Sequence, residues 1–291
     1  MPAFRSFLFA PGNHARKVEK VFGCGADHVI LDLEDAVAKA EKVATRALIV
    51  EALKKKPGGC GAYVRVNAYG TEFCYGDAAA VVGPWLDGIV FPMVESREQM
   101  LAFDWLVAGL ERERGLPVGG IDIIPIVETA KGLANARAIA AAGTRIRRMA
   151  FGAGDYTLDT NMEWSLGESE LEHARTEMVV ASRAAGLEGP LDTVWIHIKD
   201  LDNLEKSATR AKQLGFQGKM CIYPPQVDVV NRVFTPTDEE VAFARRVVEA
   251  FEKAEKEGSS SIQLDGFFID YPIVYKARKT LALMASIEQA A

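Results

Sequence analysis

Glu128 and Asp155 each follow an apolar run, Ile121–Val127 and Met149–Gly154, that would otherwise bury them. Two carboxylates brought into one pocket repel each other unless a cation lies between them. A hard, oxygen-preferring ion that keeps several waters resolves that conflict, so the pair points to Mg2+. Read singly, Glu128 could equally cap the next helix, and Asp155 could hold a turn in Gly152-Ala153-Gly154-Asp155-Tyr156. Arg65 sits in Tyr63-Val64-Arg65-Val66-Asn67, a strand too apolar to carry a guanidinium without a partner. Either it pairs with an acid such as Glu34 or Asp35, or its planar fork clamps a carboxylate or a developing oxyanion. Glu34 and Asp35, in turn, either bond to backbone amides at the next helix start or hold metal-bound waters, and we take the second reading.

These residues share a position. Val29–Leu33 runs into Glu34-Asp35, Ala62–Val64 into Arg65, and the two runs above into Glu128 and Asp155. In a parallel (β/α)8 barrel all strand C-termini open onto one face, where residues far apart in sequence meet. The rhythm of the chain predicts such a TIM barrel, an α/β fold. Strands are expected near Ser6–Ala10, His28–Leu33, Ala62–Asn67, Gly88–Pro92, Ile121–Glu128, Arg148–Ala153, Val194–Ile198 and Lys219–Tyr223, with helix-like segments between them that include Lys131–Ala142. Residues 1–235 then form the catalytic barrel. Residues 236–291 form a helical extension and lid: a charged helix near Asp238–Glu257, a polar linker Gly258-Ser259-Ser260-Ser261, a strand or hairpin through Asp265-Gly266, and a helix from Pro272 onward.

With 291 residues, 49% of them hydrophobic, the chain suits one barrel better than two half-sized domains. A net charge of −6 argues against a nucleic-acid partner. The four cysteines, Cys24, Cys60, Cys74 and Cys221, have no CxxC spacing, so neither zinc nor a disulfide framework is expected. No apolar run approaches the length of a membrane span and no secretory leader is legible, which suits a cytoplasmic protein with no membrane partner. His14, His28, His173 and His197 have no metal-ligand spacing and read as structural. A hydrolase triad lacks an anchor such as GxSxG, and Gly152-Ala153-Gly154 lacks the third glycine of a dinucleotide fingerprint.

Several ordered segments, Arg5-Ser6-Phe7-Leu8-Phe9-Ala10-Pro11-Gly12, Leu31-Asp32-Leu33-Glu34-Asp35-Ala36-Val37, Val64-Arg65-Val66-Asn67, Ile126-Val127-Glu128-Thr129-Ala130 and Phe151-Gly152-Ala153-Gly154-Asp155-Tyr156, resemble the signatures of the citrate lyase β-subunit-like branch of the HpcH/HpaI aldolase family. The resemblance covers almost the whole chain. It implies a Mg2+-dependent lyase that cleaves or forms β-hydroxyacyl-CoA thioesters such as citryl-CoA, malyl-CoA or citramalyl-CoA, with a 2-keto acid of the oxaloacetate, glyoxylate or pyruvate class as second product. By that resemblance Glu128 and Asp155 ligate Mg2+ and Arg65 contacts the keto-acid oxygen. Leu264–Pro272 resembles the family's mobile lid, in which Asp270 reaches a neighbouring subunit of a homo-oligomer, a trimer or a multiple of it. Arg65, Asp270, Glu34 and Asp35 form the expected catalytic set, and Arg65, Gly154, Asp155, Arg16 and Lys20 the substrate contacts. Arg16, Lys17 and Lys20 either meet CoA phosphates or form a solvated helix face. The aldolase branch acting on free pyruvate relies on a histidine near the barrel mouth, where Leu31–Val37 here supplies carboxylates. Two other activities fit the same site: a malyl-CoA-type thioesterase or synthase, and a non-autonomous subunit of a citrate lyase complex.

Overall fold

A computed structural model describes residues 3–290. Phe4–Phe234 is one compact unit, and a second is built on the chain from Thr235 onward. In the first, eight parallel strands, β1 (Ser6–Pro11), β2 (His28–Asp32), β3 (Gly61–Arg65), β4 (Gly88–Phe91), β5 (Asp122–Val127), β6 (Ala150–Phe151), β7 (Leu191–Asp192) and β8 (Gly218–Cys221), close into a barrel through pairing of β8 with β1. The intervening helices are α1 (Ala15–Val21), α2 (Lys42–Lys54), α3 (Cys74–Val81), α4 (Arg97–Glu113), α5 (Ala130–Ala134), α6 (Ala136–Ala140), α7 (Ala153–Asp159), α8 (Glu172–Ala184), α9 (Leu201–Leu214) and α10 (Gln226–Phe234).

Side chains alternate across each strand. One parity sends Phe7, Ile30, Tyr63, Val90, Ile124, Ile126, Leu191 and Met220 into the barrel, and the other packs Leu8, Val29, Leu31, Val64, Ile123 and Val127 in the layer under the helices. The inward parity continues from Ile30 to Asp32, from Tyr63 to Arg65 and from Ile126 to Glu128. The strand register makes Asp32 the neighbour of Arg65. The opposite end of the barrel is plugged by aromatics: His28 stacks on Phe4 and Phe7 with ring centres 4.5 and 4.6 Å apart. His28 is therefore structural.

Three expectations need correction. The seventh strand is Leu191–Asp192, and Val194–Ile198 is an irregular connection that carries His197, with Trp195 buried and Ile196 and Ile198 facing solvent. The segment Lys131–Ala142 is two short helices, α5 and α6, separated at Asn135, whose side-chain amide is drawn to Glu95 O at 2.8 Å. The segment after Phe151 turns directly into α7, so Asp155 lies in the first turn of a helix and not at a strand end.

Asp192 explains why β7 does not read as an apolar run. It is fully buried and accepts from Arg175 Nε at 2.9 Å and Lys219 Nζ at 2.5 Å, while Arg175 also reaches Glu168 at 2.8 Å. Burial pushes its carboxyl up, but the two cations outweigh that and hold it below the ordinary range. The group's stabilisation is thus present above the ordinary carboxylate pKa and lost as pH falls through the depressed folded value. Asp192→Ala leaves two buried cations short of a partner and is expected to cost about 3–5 kcal/mol, read from urea unfolding near neutral pH. A loss within error of zero would mean that water replaces the carboxylate.

The second unit is built from α11 (Asp238–Lys256), β9 (Ile262–Leu264), β10 (Phe267–Ile269) and α12 (Tyr271–Ala290). A capping box, with Thr237 Oγ1 accepting from Glu240 N at 3.1 Å and Glu240 accepting from Thr237 N at 2.9 Å, starts α11. The strands pair antiparallel through Asp265-Gly266, both with positive φ (51° and 83°), as a two-residue hairpin turn requires. Val247, Phe251, Ile269 and Val274 form its small core.

Candidate active site

A cavity of about 880 Å3 opens at the C-terminal ends of the strands. Its lining brings together Arg65, Glu128, Gly154, Asp155, Asp35, Arg16, Lys17 and Lys20, all singled out in the sequence, with Asp32, Gly152, Thr193 and Met220. Glu34 touches the same cluster through Arg65. Asp270 belongs to the second unit, at the end of β10, where its Oδ1 lies 3.5 Å from Ile273 N.

Arg65 is the hub. Its Nε and Nη2 donate to the two oxygens of Asp32 at 2.8 and 2.6 Å, a bidentate pair set by the β2–β3 register. Nη1 is left for Glu34 at 3.0 Å and Asp35 at 3.4 Å. The principal partner is therefore Asp32, and the pairing with Glu34 and Asp35 that the sequence offered as one alternative is present through Nη1 alone. Burial alone would lower the guanidinium pKa, but Asp32, Glu34 and Asp35 raise it above its ordinary value, so Arg65 stays charged. Asp32 also accepts from the amides of Glu34 (2.9 Å) and Ala36 (3.1 Å), and so performs the backbone-capping role considered for its neighbours. Burial pushes its carboxyl up, yet Arg65 and these amides bring it below the ordinary range.

Glu128 does not cap α5; Thr129 does, accepting from Gly132 N at 2.9 Å. Instead Glu128 Oε1 accepts from Met93 N at 2.7 Å. Burial, opposed by Arg65 and by that amide and assisted by Asp155 and Asp35, pushes the Glu128 carboxyl up to about 8. Asp155 is pushed up in the same direction, by burial and by Asp35, while a hydrogen bond with Glu128 opposes the shift. Burial likewise carries Glu34 to about 9 despite Arg65. Asp155 is aimed by the start of α7, which is pinned where Thr193 Oγ1 accepts from Ala153 N at 2.8 Å. Gly152 is required by close approach: a Cβ there would stand 2.4 Å from Glu128 Oε2.

Five carboxyl groups thus gather around the Arg65 guanidinium, and the surplus negative charge is relieved by protons or by a cation. Among the described residues no group of three or more His, Cys, Asp or Glu side chains forms a metal cage. A cation at Glu128 and Asp155 would take two carboxylates and fill its remaining positions with water and substrate oxygens. That donor set suits Mg2+, which dehydrates reluctantly and is commonly held by one or two carboxylates. Arg16, Lys17 and Lys20 of α1, exposed and cationic, also line the cavity. No helix among the described residues is long and apolar enough to cross a membrane.

Two roles escaped the sequence. Asp32 has a legible signal, since it shares the inward parity of Ile30 and stands beside Arg65 in register. Met93 has none, because its contribution is a backbone N–H.

The chain is similar in sequence and structure to several known proteins. The citrate lyase subunit beta of Leuconostoc mesenteroides subsp. cremoris is 36% identical over 96% of this chain and 92% of its own length. A (3S)-malyl-CoA thioesterase of Cereibacter sphaeroides is 34% identical over 98% of this chain and 95% of its own. The crystal structure of protein CitE from Mycobacterium tuberculosis in complex with magnesium, acetoacetate and coenzyme A aligns with a TM-score of 0.77 at 30% identity, covering 97% of this chain and 98% of that one. Residues 5–224 match the HpcH/HpaI aldolase/citrate lyase family, and the chain is a member of it.

Proposed function

We propose that the chain is a carbon–carbon lyase that cleaves, or in reverse forms, a β-hydroxyacyl-CoA thioester, giving an acyl-CoA and a 2-keto acid. The observation that carries this reading is the convergence of Glu128, Asp155 and Arg65 on one cavity that is also lined by Arg16, Lys17 and Lys20. The citrate lyase and CitE relatives support it. The bound divalent cation would polarise the substrate's carboxylate and hydroxyl oxygens and stabilise charge that develops there.

The chain's own groups supply the rest. Arg65, kept charged and fixed by Asp32, would turn Nη1 from Glu34 and Asp35, its contacts in this structure, to donate to the oxygen that becomes the keto-acid carbonyl. The hydroxyl passes its proton to a water or an ionised carboxylate of the cavity, the bond between the α- and β-carbons breaks, and its electron pair passes to the α-carbon as the thioester enolate. A proton delivered to that carbon completes the acyl-CoA. The three cations of α1 would meet the phosphates of the CoA moiety, outside the reacting centre.

Asp270 is the proton donor in this proposal, brought by a lid from an adjacent protomer of a homotrimer. The second unit has only a small core and leaves Phe267 and Phe268 exposed at 61% and 69%, which favours docking on a partner surface. Arg65→Ala and Asp270→Ala proteins, each nearly inactive alone, should regain part of the activity when co-assembled, because some sites then receive both intact residues. No recovery in verified mixed oligomers would mean that Asp270 acts within its own chain or not at all.

The thioesterase relative favours a second reading, in which Asp270 is the base for a water that attacks the thioester. A subunit role in a lyase complex is the third. The experiment is a panel of citryl-, malyl- and citramalyl-CoA assayed with the purified chain and Mg2+. Keto-acid formation supports the lyase, free CoA without it supports the thioesterase, and inactivity of the chain alone supports the subunit role.

A further inference from the structure

We infer that Met93 is a positioning residue whose amide, together with the bare Cα of Gly152, holds Glu128 to one-oxygen ligation and so sets a preference for a small octahedral cation over a larger one. The inference rests on the assignment of Glu128 and Asp155 as cation ligands. Met93 has φ 53°, a left-handed conformation seldom adopted by residues other than glycine. Such a conformation persists only where the surroundings impose it. Here Val94 N donates to Ile126 O at 3.1 Å, tying the next residue to the end of β5, and a Cβ on Gly132 would stand 2.7 Å from Val94 O. The result aims Met93 N–H at Glu128 Oε1, 2.7 Å away.

On the other side the Glu128 side chain lies against Gly152, where a Cβ would meet Oε2 at 2.4 Å and Glu128 Cβ at 2.7 Å. The carboxylate is thus held between two backbones. Oε1 accepts an amide hydrogen bond, so ligation through Oε2 alone leaves that bond intact, whereas ligation through both oxygens competes with it. Ca2+ takes about 6–8 oxygens and favours bidentate carboxylates, whereas Mg2+ takes six ligands at about 2.0–2.1 Å and accepts single oxygens. A carboxylate that must give up an amide hydrogen bond to offer both oxygens therefore penalises the larger ion.

The test uses the full metal-free chain loaded with Mn2+, whose displacement by Mg2+ or Ca2+ is followed by electron paramagnetic resonance. Wild type is expected to prefer Mg2+. Replacing the residue 93 amide by an ester, with the methionine side chain kept, removes the donor and should lower the Mg2+ to Ca2+ preference by at least about tenfold, the scale seen when a ligand loses its supporting hydrogen bond. Met93→Val, whose branched side chain disfavours the left-handed backbone, should act in the same direction, and Met93→Gly, which keeps both the N–H and the conformation, should retain the preference. Equal binding of the two ions by wild type, or an unchanged preference in the ester protein, overturns the inference. If the ester protein does not fold by circular dichroism, equal preferences in Met93→Val and Met93→Gly overturn it instead. Glu128→Gln separates the two levels: undiminished Mn2+ binding there refutes the ligand assignment itself, whereas lost binding with an unchanged ester protein refutes only the clamp.

Discussion

Arg65→Ala will lower turnover by about 10²–10³-fold, the usual cost of losing one preorganised oxyanion donor, and will destabilise the fold by roughly 3–5 kcal/mol, the cost of leaving a buried charge unpaired. Both effects follow from one geometry. Arg65 spends Nε and Nη2 on Asp32 and leaves Nη1 to the cavity carboxyls Glu34 and Asp35, so the half of the fork that stabilises the barrel orients the half assigned to substrate. The two roles separate in Arg65→Ala/Asp32→Asn, which removes the buried charge as well as its partner. Urea unfolding should show stability partly restored in the double variant, while kcat stays as low as in the single one. If turnover returns together with stability, Arg65 is a core ion-pair partner only.

Glu128→Gln and Asp155→Asn should each reduce turnover by about 10³-fold or more, because polarisation by a bound cation is worth several kcal/mol and each 1.4 kcal/mol is a decade in rate. Their effect on the metal-free protein has a different sign. Glu128 is pushed up to about 8, so it holds a proton in the folded chain at pH values where the unfolded chain has lost it. A group with a raised folded pKa costs stability as pH rises through the window between its unfolded and folded values. The chelated wild type should therefore melt at progressively lower temperature from about pH 5 to pH 8, and Glu128→Gln should flatten that slope. Thermal melts of dialysed protein decide it, and a slope unchanged by Glu128→Gln would place the proton uptake elsewhere, with Glu34 the next candidate.

The sequence revealed the barrel where strands form apolar runs and hid it at β7, where a two-residue strand carries a buried charge on its helix-facing side. β2, β4 and β5 read directly from runs such as Val29–Leu33, Gly88–Pro92 and Ile121–Val127. β7 did not, because Asp192 interrupts the pattern and is reconciled to burial only by Arg175 and Lys219, which are distant in sequence. The alternating Val194–Ile198 imitated a strand, although its isoleucines face solvent in a connection. The cavity-lining cluster was legible for the same reason that the barrel was: charged residues closing apolar runs stand out. Asp32 was overlooked inside its run, where only strand parity and register mark it as the partner of Arg65. The amide of Met93 and the close approach at Gly152 depend on coordinates and leave no imprint on residue type.

The most direct measurement of the central claim is product analysis on the chelated, dialysed chain supplied with a β-hydroxyacyl-CoA such as malyl-CoA, before and after Mg2+ is added. The predicted result is no turnover without the ion and, with it, acyl-CoA and 2-keto acid appearing in equal amounts. Turnover that survives chelation, or release of free CoA with no keto acid, would contradict it.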